Sequence, residues 1–175
     1  AKALAFLKQY GQEHPNRITA TPMILAGHSA GAYNAVQLVA DQSYLASVGM
    51  SANDIAGIIG LSGPYDFYPY DVKATRIAFG DTPAAQSQPV EQDLFHMPPM
   101  LLITGNRDHT VYPRNSRRLA ELAPDTKLIE IADTGHAGTL IALGSILTEN
   151  REILAPMSKF LTKHLPAPTK RTDAY

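Results

Sequence analysis

Apolar residues along the chain recur with two alternating periods. Ala3, Leu4, Phe6, Leu7 and Tyr10 keep the helical spacing until Gly11 and Pro15 end it, which predicts a helix over 2–10. The unbroken run Pro22-Met23-Ile24-Leu25-Ala26 then predicts a strand over 22–27. Ala32, Ala35, Val36 and Val39 return to the helical period, in a helix from Ala30 to about Asp41. A second strand, Ile55 to Leu61, is apolar at nearly every position, as a parallel strand covered on both faces must be. Residues 63–70 are rich in turn formers and aromatics, and a short amphipathic helix is expected from Asp71 to Phe79.

The segment 80–99 is polar and interrupted by proline, with room for a short helix at most. Met100 to Thr104 reads as a third strand ending at Gly105, and Pro113 can open a helix to Ala123 because its missing N–H is not needed there. Lys127 to Ala132 is a fourth strand, followed by Gly135-His136 and a short helix. The last helix carries apolar residues at 153, 154, 157, 160, 161 and 165. Pro156 falls within it, at a cost of about 3 kcal/mol if interior, so a kink or a fresh start is expected there. Four alternations of strand and helix predict an α/β fold, a mostly parallel sheet with helices on both faces. One domain over 1–165 and a flexible tail over 166–175 are expected, without internal repeats.

Composition narrows the function. With 15 basic and 16 acidic residues scattered over 175 positions, the net charge of −1 offers no surface for nucleic acid or an anionic membrane. The absence of cysteine excludes disulfides, thiolate metal sites and a cysteine nucleophile. No apolar stretch approaches the roughly 20 residues of a membrane span, and no leader of basic then apolar residues is visible. The sequence opens with Ala1 inside a helical pattern, so a removed upstream segment is expected; the compartment stays open, the cytoplasm being the default reading. His, Asp and Glu do not gather at metal-ligand spacing and the glycines form no phosphate loop, so nothing requires a cofactor.

The candidate chemistry begins at Gly27-His28-Ser29-Ala30-Gly31, between a strand and a helix. Such a turn forces its central serine into a strained backbone that lifts the hydroxyl above the sheet, and strand and helix come so close that the flanking residues must be small. Gly27, Ala30 and Gly31 meet that demand. A serine becomes a nucleophile when an imidazole, oriented by a carboxylate, takes its proton. Asp108 lies just beyond the third strand and His136 just beyond the fourth. In a parallel sheet these ends share one edge, so Ser29, Asp108 and His136 can meet there. Asp66, past the second strand, is a rival acid, read in preference as a turn former; Asp133 belongs to the turn before His136. His28 is expected to pack beside the elbow, His96 and His109 can rim the site, and His14 and His164 read as solvated. Tyr65, Phe67, Tyr68 and Tyr70 can line a substrate pocket or pack into the core.

Together, Gly-His-Ser-Ala-Gly-Ala at 27–32, Leu-Ser-Gly-Pro-Tyr-Asp at 61–66, Pro-Pro-Met-Leu-Leu-Ile-Thr-Gly-Asn-Arg-Asp at 98–108 and Gly-His at 135–136 resemble the C-terminal half or more of an α/β-hydrolase. The likeness covers about residues 1–164 and is nearest to the carboxylesterase branch, its hormone-sensitive-lipase-like and feruloyl-esterase-like (BD-FAE type) members, with arylformamidases close by. The resemblance implies Ser29 as nucleophile, His136 as general base and acid, Asp108 as the residue orienting His136, and the Ala30 N–H as an oxyanion donor. It implies a small-molecule carboxylic ester as substrate, cleaved through an acyl-enzyme. An amidase such as an arylformamidase is the alternative, and a catalytically silent fragment or binding domain is the alternative of another class. Enzymes of this kind usually have eight strands and a histidine-and-glycine oxyanion loop early in the sheet, where this sequence has four strands and no such loop. Its first strand is therefore expected to present an edge open to pairing with a missing N-terminal segment or with another chain.

Overall fold

The computed structural model describes residues 1–144 and 151–166. Four strands form one sheet: β1 (Met23–His28), β2 (Ile55–Leu61), β3 (Met100–Gly105) and β4 (Thr126–Ile131). They are all parallel and ordered β1-β2-β3-β4, so each strand lies beside the next in the chain. The register pairs His28 with Leu61, Leu61 with Ile103 and Gly105 with Ile131. All four carboxyl ends therefore open along one rim.

That order also explains the layering. Right-handed crossovers that step steadily in one direction leave every connection on the same face. The helices α1 (Lys2–Glu13), α2 (Ala30–Ala40), α3 (Gln42–Ala46) and α6 (Arg114–Leu122) pack there, around Val36, Ile58, Leu102 and Leu119. The short helices α4 (Lys73–Phe79) and α5 (Ala84–Ser87) belong to the β2–β3 connection. The opposite face is covered after the last strand, by α7 (Gly138–Gly144) and α8 (Arg151–His164), around Ile59, Leu101, Ile103 and Ile153. β2 and β3 are almost wholly buried between these layers, whereas β1, equally apolar in sequence, lies at the sheet edge and is only half-buried. A groove of about 620 Å³ runs along that edge, with Leu4, Leu7 and Leu38 on one side and Met157 and Leu161 on the other.

Two expectations need correction, and one helix was not foreseen. Gly11 does not stop α1, which continues to Glu13; it is buried inside the helix, where a Cβ would strike that of Ala20. Pro156 does not give the last helix a fresh start: one helix runs from Arg151 to His164 with the proline inside it. The apolar stripe explains this: Ile153, Met157 and Phe160 pack on the sheet and outweigh one missing backbone bond. A third helix, α3, follows Asp41, which caps it by accepting from the Ser43 N–H. The tail expected to be flexible lies, beyond Pro166, outside the described residues.

One ion pair ties α1 to the turn before β2. Lys8 Nζ donates to Asp54 Oδ1 at 2.6 Å, while Asp54 Oδ2 accepts from the Ser51 N–H at 3.0 Å. The Lys8 hydrogen bond holds the Asp54 carboxyl below its ordinary range, against the opposing effect of partial burial. A carboxylate depressed in the folded state stabilises it above the ordinary carboxylate pKa, and that stabilisation is lost as pH falls through the depressed value. Lys8→Met is therefore expected to lower stability at pH 7 by about 0.5–1 kcal/mol, since the pair is only partly buried and solvent still screens it. Urea midpoints of the two proteins should converge as the pH is lowered below the carboxylate range; a constant difference would refute the assignment.

Candidate active site

Ser29 sits between β1 and α2 with φ 55° and ψ −123°, a left-handed conformation that a side chain rarely adopts. The sharp turn has a steric cause. A Cβ on Gly27 would fall on the backbone of Gly31 and Ala32, so strand and helix close to this distance only over glycine. Gly31 differs from the expectation: a Cβ there meets nothing within 4 Å, so its own smallness is not what the turn requires. The Ser29 N–H donates to the Leu61 carbonyl at 2.8 Å, which anchors the turn to β2. The Ala30 and Gly31 N–H groups open α2, where no intrahelical acceptor exists for them.

Ser29 Oγ lies 2.9 Å from His136 Nε2, and His136 Nδ1 lies 2.7 Å from Asp108 Oδ2. The protons follow from the partners. A carboxylate only accepts, so His136 Nδ1 carries a hydrogen and donates to it, which leaves Nε2 as acceptor for the Ser29 hydroxyl. The Asp108 side chain is fully buried and that of His136 is 19% exposed. Asp108 Oδ1 is occupied separately, by the N–H groups of Thr110 at 2.9 Å and Val111 at 2.8 Å. Those two bonds fix the carboxylate so that only Oδ2 faces the imidazole. The loops after β3 and β4 are themselves in contact: Arg107 N–H donates to the Thr134 carbonyl at 3.0 Å, and Arg107 and Asp133 form an exposed ion pair at 2.6 Å.

Other candidates separate from this group. Asp66 has no bond to His136; its N–H and that of Tyr65 donate to Asn115 Oδ1, at 2.8 and 2.9 Å, in the loop after β2. Asp133 is the left-handed residue of its turn, with φ 53°. His28 lies beside the site, its Nε2 3.0 Å from the His136 carbonyl. His96 does not rim the site: it bonds the Val39 carbonyl at 3.0 Å, toward the far end of α2, about 15 Å along the helix from Ser29. His109 is exposed beside Tyr112. His14 is exposed, while His164 is half-buried against Phe160 rather than solvated.

The four aromatics divide as well. Tyr65 is fully buried in the core, and Tyr68 is exposed. Phe67 and Tyr70 join Tyr33 and Phe79 in a cluster of edge-on, tilted and stacked rings, with centroids 5.3–6.0 Å apart. Tyr33 stands one turn beyond Ser29. Burial, reinforced by Tyr44 and Tyr70, pushes its phenol up to about 12, so the hydroxyl stays a donor to the Ser87 carbonyl at 2.9 Å. Four polar residues went unrecognised in the sequence because nothing in their spacing marks them: Ser62, Gln88, Asn115 and Thr139, all buried and all bonding loops near the rim.

No family model and no curated protein matches the sequence. Solved structures do. The chain superposes on apo Thermogutta terrifontis esterase 2 with a TM-score of 0.70 at 17% identity, covering 95% of this chain and 64% of that one. A truncated carbohydrate esterase from gut microbiota matches with a TM-score of 0.72 at 15% identity, over 93% of this chain and 65% of that one. Porphyromonas gingivalis dipeptidyl peptidase 4 matches with a TM-score of 0.66 at 17% identity, over 94% of this chain and 22% of that one. The chain thus spans just under two thirds of the length of the two esterases. Four parallel strands, the strained Ser29 turn and this set of neighbours establish that the chain carries part of the α/β-hydrolase fold.

Proposed function

We propose that the chain is a serine hydrolase that cleaves carboxylic esters through an acyl-enzyme intermediate. The observation that carries this reading is the hydrogen-bonded series from Ser29 Oγ through His136 to the buried Asp108, with Ser29 held at a positive φ. Ser29 Oγ attacks the ester carbonyl as His136 Nε2 takes its proton, a transfer worth about 10²–10⁴-fold in rate. Asp108 stabilises the imidazolium and keeps its Nδ1 proton in place. The Ala30 N–H faces the oxyanion of the tetrahedral intermediate; one such donor contributes about 2.7–4 kcal/mol. His136 then gives its proton to the departing alkoxide. Water, deprotonated by the same nitrogen, attacks the acyl-Ser29 carbonyl, and the acid leaves with Ser29 restored.

A fluorophosphonate probe tests this directly, because it loses fluoride only to an activated serine. One probe should add per chain, seen as a single mass increment, and Ser29→Ala should abolish it. Short-chain nitrophenyl esters should turn over, and faster than formyl-anilides; the reverse preference would assign the amide bond instead. Absence of labelling in the unaltered chain, or labelling that survives in Ser29→Ala, would overturn the reading.

A further inference from the structure

His136 follows β4 and Ser29 follows β1, and these strands are the two opposite edges of the sheet. Three strand spacings, about 14 Å, separate them. No strand pairing therefore holds the His136 loop at the nucleophile, and other contacts must. The main-chain carbonyl of His136 accepts from two side chains: His28 Nε2 at 3.0 Å and Thr139 Oγ1 at 3.1 Å. A carbonyl cannot donate, so His28 carries its proton on Nε2, and the bond forms whether the ring is neutral or charged.

The second donor is itself held. Thr139 has one hydroxyl proton, given to the carbonyl, so in its 3.0 Å contact with Ser62 the Ser62 hydroxyl donates. Ser62 and Thr139 are both fully buried. Ser62 has φ 48°, a left-handed conformation in which a serine is disfavoured against glycine, yet a hydroxyl stands there. The residue before it, Leu61, accepts the Ser29 N–H. Two adjacent residues at the end of β2 thus reach the nucleophile turn and the His136 loop at once. The His28 and His136 rings also lie against each other, with centroids 4.8 Å apart.

We propose that His28, Thr139 and Ser62 are positioning residues, a clamp on the His136 main chain that sets the imidazole against Ser29. The proposal rests on the serine-hydrolase reading. Removing one donor leaves the carbonyl half-held and lets the imidazole drift, and a displacement of about 1 Å at a reacting group costs on the order of 10²-fold.

The test measures the second-order rate of fluorophosphonate labelling, together with the downfield proton resonance of His136 Nδ1–H. His28→Leu keeps the bulk without the donor, whereas His28→Gln places an amide N–H where Nε2 stood. Thr139→Val and Thr139→Ser make the same comparison at a second site, which serves if His28→Leu does not fold. The Leu and Val variants should label about 10- to 100-fold more slowly, with a broadened or shifted Nδ1 proton, and the Gln and Ser variants should recover to within about threefold. Ser62→Gly should label more slowly although its unfolding midpoint is no lower. Wild-type rates in the Leu and Val variants, or Gln and Ser variants as slow as they, would discard the clamp while leaving the hydrolase standing. An unaltered chain that never labels removes both.

Discussion

Asp108→Asn is expected to lower ester turnover and probe labelling by about four orders of magnitude while leaving the fold in place. The reason lies in the bonds around the carboxylate. Oδ1 accepts two backbone N–H groups, from Thr110 and Val111, so an asparagine must place its carbonyl oxygen there and cannot flip. Its NH₂ group then faces His136 Nδ1, which has to accept rather than donate. The imidazole proton moves to Nε2, opposite Ser29 Oγ, and the base becomes a donor to the hydroxyl it should deprotonate. Labelling rates measured beside circular dichroism spectra decide the matter: a folded Asn variant within tenfold of the unaltered rate removes Asp108 from the mechanism.

Gly27→Ala should destabilise the protein by about 3 kcal/mol, the upper end of the usual cost of overpacking. Its Cβ would land on backbone atoms of Gly31 and Ala32, which cannot turn aside as a flexible side chain can. Strand and helix would have to separate, and that would break the Ser29 N–H bond to Leu61. Gly31→Ala provides the contrast at the other flank of the same turn. Its Cβ enters open space, so stability should be unchanged or rise by up to about 1 kcal/mol through helix propensity. Urea midpoints of the two variants measure the difference; equal midpoints would mean that strand and helix do not approach as described.

The strands and the longer helices were readable because each has its own signature. Ile55 to Leu61 is apolar throughout because both its faces are covered, and α2 repeats every three to four residues because only one of its faces is. The elbow was readable for a local reason too, since a serine flanked by small residues between strand and helix has few alternative conformations. Asp108 and His136 needed the further premise that parallel strands share a rim. Gly11 misled, because local propensity takes an interior glycine for a stop, whereas a packing contact with Ala20 holds it in α1. Pro156 suggested a fresh start on the same local grounds, but the packing of Ile153 and Phe160 on the sheet keeps one helix continuous through it.

Sequence periodicity and turn chemistry are enough to establish the α/β class and which strand each chemistry-bearing loop follows, because those signals arise from neighbours along the chain; with the premise of a shared rim they also make Ser29, Asp108 and His136 candidates. Folding in three dimensions settles the rest. It places β1 half-exposed at an edge, sends His96 to the far end of α2, buries Tyr65, joins His28 and Thr139 at one carbonyl and sets Ser62 behind Thr139. Such contacts link residues as many as 108 positions apart. No local spacing encodes them; they exist only once the strands are side by side and their loops compete for the same few acceptors at the rim.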